Sequence, residues 1–238
     1  MDQFLDQYVF RYTKRYIGHA KLTKDGLLPY TKREEWFNTC SHLLGVLIGV
    51  GAVFLSIDLH HTEYGLAGGL IFGVALMIEY LASSIYHGIP MRYVRQKKRF
   101  RLFDHSAIFV LVAGSIAPFI LIMIGHRQSV GEWLFYVTIW LVAVIGITLL
   151  CVNMNQNLSI ATALYVVMGI AVVARIDDLG RLLSSTGMAL FLAGGAVYLI
   201  GLLCYGLGSK RTWMHSVFHV LCIVGSLLHC ACVYGYLI

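Results

Sequence analysis

Charge is scarce in this chain. Of its 238 residues only 13% are Asp, Glu, Lys or Arg, against 58% hydrophobic residues, and the mean hydropathy is +0.75. Soluble domains carry about 25% charged residues, so a water-exposed globular fold is excluded and an integral membrane protein is read instead. Proline is rare as well, three residues in all. One of them, Pro118, falls inside an apolar run, where it is expected to kink a helix and free a carbonyl. The six cysteines (Cys40, Cys151, Cys204, Cys222, Cys230 and Cys232) include no CxxC pair and sit within or at the ends of apolar stretches. That pattern offers neither a disulfide framework nor a cysteine-based zinc site, and they read as small packing residues.

What the chain does have is apolar runs. Crossing the ~30 Å hydrocarbon layer takes roughly 20 apolar residues, and seven such stretches are found: Trp36 to Ile57, Gly65 to Tyr86, Phe103 to Ile124, Trp133 to Cys151, Leu158 to Arg175, Thr186 to Tyr205 and Met214 to Ile238. They are too long and too uniformly apolar for the alternating ~10-residue strands of a membrane β-barrel. Short polar connectors such as "GHRQSVGE", "NMNQN" and "IDDLGRLLSS" permit up-and-down packing. The expected fold is all-α, a polytopic bundle of seven transmembrane helices over residues 36–238. Glycine is frequent, and Gly45 with Gly49, and Gly65 with Gly69, mark expected close approaches of helices.

Residues 1–35 form a basic cytoplasmic segment without an apolar core of seven or more residues, which argues against a secretory signal. Phe4, Tyr8, Tyr12 and Tyr16 recur at every fourth position among basic residues. The segment is read either as a short helix in the membrane interface or as a disordered basic tail. With seven spans, fifteen of the eighteen Lys and Arg residues lie on the side of the N-terminus. The positive-inside rule then puts the N-terminus in the cytoplasm and the C-terminus outside. The net charge of +6 serves topology and attraction to anionic lipid heads, and nucleic acid is not an expected partner.

Polar groups inside membrane helices are costly, so their placement carries most of the functional information. Asn38, Ser41 and His42 on the first span, Glu79, Ser83 and His87 on the second, Asp104 and His105 on the third, and His215 and His219 on the seventh all fall at cytoplasmic helix ends. His215 and His219 are four residues apart and share a helix face, a spacing that lets one helix grip a metal ion with two imidazoles. His87 lies at a matching depth and is the candidate third ligand. Three histidines and a water make the open coordination of catalytic zinc, although imidazoles also suit copper, nickel or iron. Asp104 and His105 are adjacent and cannot both face one ion; Asp104 is read as the inward one, with a helix-start aspartate complementing the dipole as the alternative. Glu79 is either protonated and paired in the bundle or part of a proton path. His19, His60, His61 and His126 read as interfacial residues. His229, roughly 15 Å along the axis from His219, is expected to make a packing hydrogen bond.

The segments "EWFNTCSHLLG", "SSIYH", "LFDHSAIFVLVAGSIAP" and "HSVFHVLCIVGSLLH" resemble the motifs of the hemolysin III family, within the superfamily that includes the adiponectin and progestin receptors and the alkaline ceramidases. The resemblance covers all the spans, and the short termini and loops are similar to the bacterial branch. It implies a multi-pass protein of the bacterial inner or plasma membrane with Zn2+ bound by His87, His215 and His219. It further implies that Asp104 hydrogen-bonds the zinc-bound water and that Ser83 lies near the metal. Glu35, Asn38 and His42 match the first motif without an implied role.

Two functions fit these residues. In the first, zinc-activated water hydrolyses an amide- or ester-linked lipid of ceramide-like type, with Asp104 as general base and Ser83 holding the water or the oxyanion. In the second, zinc clamps the helices together, and the protein is a lytic factor, a receptor or a regulator of membrane state. Membrane lipids are the surroundings in both and the substrate in the first.

Overall fold

The computed structural model describes Thr23 and residues 26–238, so the expected interfacial helix of Phe4, Tyr8, Tyr12 and Tyr16 lies outside the described residues. The described residues form helices and no strand: α1 (Lys32–Leu59), α2 (Glu63–Gly88), α3 (Val94–Arg127), α4 (Val130–Val173), α5 (Ile176–Leu182), α6 (Ser185–Gly208) and α7 (Met214–Tyr236). All but α5 are long and apolar enough to cross a membrane, six helices among the described residues. The outer faces of α1, α4 and α6 carry exposed Leu, Ile, Val and Phe side chains, for example Leu47, Leu141 and Leu203. In water such a surface would aggregate; in a bilayer it is solvated.

Local signals explain where the helices begin. Thr31 caps α1 ahead of the expected Trp36, because its hydroxyl accepts from Glu34 N at 3.2 Å while Glu34 Oε2 accepts from Thr31 N at 2.9 Å, a reciprocal capping box. Thr62 and Ser184 cap α2 and α6 in the simpler way.

The expected polar connector "NMNQN" is not a loop. It lies inside α4, whose 44 residues would measure about 66 Å if straight, twice the hydrocarbon thickness. The helix breaks at Asn153, which is extended (φ −158°, ψ 93°). The Asn153 side chain accepts from Gln156 N at 3.2 Å, as an N-cap does, and Asn157 Nδ2 donates to the carbonyl of Leu149 at 2.7 Å, satisfying an acceptor that the break frees. One extended residue and the side chains of Asn153 and Asn157 thus do the work of a turn. The connector "IDDLGRLLSS" holds a helix as well, the short α5.

Helix α3 is the axis of the bundle. Ala107, Phe109, Ala113 and the run Ile116–Ile124 are buried, with α2 along one side and both parts of α4 against others. Pro118 lies within it, and Gly68 of α2 faces Pro118 so closely that a Cβ would come 2.6 Å from Pro118 Cα. On α1, a Cβ at Gly45 would fall 2.4 Å from the Tyr80 ring; the missing side chain is what lets that ring lie flat between α1 and α7. Gly49 and Gly69 are close approaches of the same kind, whereas Gly65 meets only its own cap Thr62 and the end of Ile238. All six cysteines are free.

Candidate metal centre

Tyr80 sets the framework of the site. Its hydroxyl donates to the carbonyl of Cys222 at 3.0 Å and lies 2.5 Å from Ser226 Oγ, so α2 is keyed to α7. At the end of the bundle, Trp213 begins α7 in a left-handed conformation (φ +66°). Such backbone costs a bulky residue about 1–3 kcal/mol, and it is held here because Trp213 N donates to Glu34 Oε1 at 2.6 Å. The carboxylate that caps α1 therefore also fixes the start of α7, and with it His215.

On this framework three imidazoles converge. His87 stands in the last turn of α2 and His215 and His219 stand in the first turns of α7; all three are buried. His215 Nε2 lies 3.2 Å from His87 Nε2 and 3.1 Å from His219 Nε2, and the three donor atoms lie within 4.8 Å of one another. Tetrahedral zinc with Zn–N of about 2.0–2.1 Å would hold its ligand nitrogens ~3.3 Å apart, close to these separations. The chemistry of the set agrees. Three facing Nε2 atoms cannot all be satisfied by N–H···N bonds, because each neutral imidazole has one donor and one acceptor, whereas a cation accepts all three lone pairs. The trio could hold a metal ion.

Of the remaining polar residues that the sequence singles out, some lie around this trio and others lie elsewhere in the bundle. Asp104, in the third turn of α3, is buried. It stands outside the trio of donor atoms, near enough to His215 and His42 to act on their charge. Ser83 lies beside it. His105 turns the other way: its Nε2 is 3.1 Å from the hydroxyl of Tyr205 on α6, and its Nδ1 is 3.0 Å from Arg101 O and 3.2 Å from Asp104 Oδ2. Glu79 is buried with one carboxyl oxygen unpartnered. His60, at the end of α1, sits on the carbonyls of its own last turn, and His126 closes α3, so both lie at the opposite end of the bundle. His229 makes a packing contact, with Nε2 3.2 Å from the carbonyl of Phe191.

Several neighbours were not assigned a part by spacing. His42 stacks on His219 with centroids 3.6 Å apart and meets Tyr80 edge-on. Asn38, four residues earlier on the same face, is fully buried, and neither its amide atoms nor the ring nitrogens of His42 have a partner in the protein. Glu35 lies between His87 and Lys97: His87 Nδ1–H donates to Oε2 at 2.6 Å, and Lys97 Nζ is 2.8 Å from Oε1. Tyr30 stacks on His215 at 4.7 Å and tilts toward His87. Burial raises its phenol well above the ordinary tyrosine value, so it is neutral at physiological pH. The segment that carries Tyr30 is pinned by buried Leu27 and by Arg101 Nη1, which donates to Gly26 O at 3.2 Å. Glu35, Asn38 and His42 stand out in the sequence through their match to the first motif, without an implied role. Lys97 does not, since nothing in "RQKKRFR" separates it from its basic neighbours.

The chain was compared with known proteins. The family described as Haemolysin-III related matches residues 30–230, a range that contains every residue of the site from Tyr30 to His219. Hemolysin-3 of Bacillus cereus is 30% identical over 210 residues, covering 87% of this chain and 93% of that protein. The Hemolysin-3 homolog of Bacillus subtilis (strain 168) is 32% identical over 212 residues, covering 87% and 96%.

Proposed function

The chain belongs to the haemolysin-III family, and within it we propose a zinc-dependent membrane hydrolase that acts on an amide- or ester-linked lipid. The observation that carries this reading is the convergence of three histidine Nε2 atoms beside a buried carboxylate that is not one of the trio. A clamp needs only the ligands; a buried Asp104 next to them is expensive and is accounted for by proton transfer.

When bound, zinc supplies Lewis acidity and lowers the pKa of a water toward ~7. Asp104 accepts the proton of the attacking water and returns it to the leaving amine or alcohol. Ser83, beside Asp104 and with one hydroxyl proton to give, holds the water or the developing oxyanion. Tyr30, stacked across His215, shields the donor atoms from bulk water. A lipid whose polar linkage lies a turn or two below the interface would reach that depth from the bilayer.

The topology is proposed with it. The two parts of α4 on either side of Asn153 each span the membrane, which makes seven crossings. The excess of Lys and Arg at the end that carries the site supports a cytoplasmic N-terminus and site, with the C-terminus outside. The site then opens to the cytoplasmic leaflet of the cell membrane.

A second reading rests on one observation: both relatives are named for haemolysin. In it zinc is a structural clamp and the protein perturbs membranes without turnover. Metal analysis of purified protein, with a hydrolysis screen of lipid extracts, tests the two together. One zinc per chain with release of a fatty acid from an amide or ester lipid supports the hydrolase. One zinc per chain with dye release from vesicles and no hydrolysis supports the lytic reading, and absence of zinc from freshly purified protein overturns both.

A further inference from the structure

Lys97 is the anomaly of the chain's basic segment. A lysine at the start of a membrane-buried helix ordinarily extends its ammonium to the interface, yet this one is wholly shielded from solvent. Its Nζ donates to the carbonyls of Tyr86 at 3.0 Å and Ile89 at 2.9 Å, stands 4.7 Å from the centre of the Tyr86 ring, and is 2.8 Å from Glu35 Oε1. The ammonium is thus enclosed by two carbonyls that accept its hydrogen bonds and by the carboxylate it pairs with. Two of its partners are the backbone carbonyls that end α2, directly beside His87.

Glu35 faces two ways. One oxygen meets Lys97; the other receives the Nδ1–H of His87 at 2.6 Å. Only the Nε2 of His87 then remains, and it is the atom that faces His215. A histidine that gives its second N–H to a carboxylate is held in one tautomer and one ring orientation, and is a more basic ligand. His215 and His219 have no such partner: neither receives a carboxylate contact, and the nearest acceptor to the His219 ring on its far side is the backbone carbonyl of Asn38.

We propose that Lys97 and Glu35 form a positioning relay that sets the tautomer and aim of His87, and that His87 is therefore the anchoring ligand of the metal site. The inference rests on the metal reading above, and it assigns a role to Glu35 of α1 and to Lys97 of α3, neither of which is a ligand. The relay draws one residue from each of α1, α2 and α3 and makes the α2 ligand the most rigid of the three. His215 and His219 share one helix and need no relay to keep their spacing.

The test uses the full-length protein in detergent, with zinc affinity measured by competition against a chromophoric chelator. Glu35→Gln is expected to weaken zinc binding roughly 10- to 100-fold, the usual loss when such an outer partner is removed. Lys97→Met, which leaves Glu35 in place, should weaken it less, and the double variant should bind about as tightly as Glu35→Gln alone. In zinc-loaded protein labelled with 15N-histidine, the His87 Nδ1–H proton should resonate far downfield and move upfield in both single variants. The His215 and His219 signals should stay in place.

Zinc affinity within twofold of the parent in both variants, or an unmoved His87 signal, overturns the relay. Lys97→Met serves if Glu35→Gln does not purify as a monodisperse species. If the parent protein itself binds no zinc, it is the metal reading that fails. If the parent binds and the variants match it, the relay alone fails.

Discussion

Glu132, in the first turn of α4, and Arg175, just beyond its end, are 43 residues apart, yet their side chains meet at 2.7 Å. A straight helix would hold them about 65 Å apart, so the segment doubles back, and Asn153 is where it turns. The two arms are locked at their free ends by a four-membered ion-pair cluster in which Arg127 and Asp178 also take part.

In the proposed topology both arms of that hairpin cross the membrane, which makes the number of crossings odd. Reporter tags at the two termini should therefore label from opposite sides of the membrane, the N-terminal tag from the cytoplasm and the C-terminal tag from outside. A protease-protection experiment with both tags protected from the same side would remove the seventh crossing and the orientation with it.

Substitution of a ligand should be read in metal content. His87→Ala, His215→Ala and His219→Ala are each expected to lower bound zinc from one equivalent to well below half by elemental analysis. Retention of a full equivalent in any of them would exclude that histidine from the site.

Asp104→Asn should behave differently. The variant keeps the three imidazoles, so its zinc content should match the parent while hydrolysis falls by about 100- to 10,000-fold, the range for loss of a general base. Unchanged turnover with metal in place would end the role given to Asp104.

Gly45→Ala tests the packing under the site. Its Cβ would lie 2.4 Å from the Tyr80 ring, and overpacking of this kind costs about 1–3 kcal/mol. A lower midpoint in thermal unfolding is expected, with Gly51→Ala on the same helix as the near-neutral control because a Cβ there would meet nothing within 4 Å.

The ion-pair cluster adds a pH dependence. Hydrogen bonds from Arg127 and then Arg175 hold the Asp178 carboxyl below its ordinary value, so the folded protein takes up that proton less readily than the unfolded chain. The stabilisation is complete above the ordinary carboxylate pKa of about 4 and is lost as pH falls through the lowered value. Because Arg127 reaches water, the effect should be small. Unfolding midpoints measured from pH 6 to 3 should show a decline that Asp178→Asn reduces; identical curves would mean the contact carries no stability.

Much of this was legible in the sequence, and for physical reasons. Long apolar runs admit little but membrane helices. Histidines at i and i+4 share a face regardless of tertiary detail, and His229 was correctly set apart by its distance along the axis. Other features need three dimensions. Asn153 reads as a loop residue because its polar neighbours do, and only the backbone shows that capping side chains replace the loop. Gly65 looks like its partner Gly69, but only its own cap and the end of Ile238 lie against it. Lys97 is one of several basic residues until its burial is known, and Glu35 acquires a role only when His87 and Lys97 are seen on either side of it.

The burial of α3 bears on how the chain enters the bilayer. It is the most enclosed of the membrane-length helices and holds the most apolar 18-residue stretch among them, although protein rather than lipid surrounds that stretch. Helices are inserted singly before they associate, so α3 must first be stable in lipid that it will later leave. Its hydrophobicity is thus a requirement of biogenesis, while Lys97, Arg101 and Asp104 are gathered toward the one end that need not cross the bilayer.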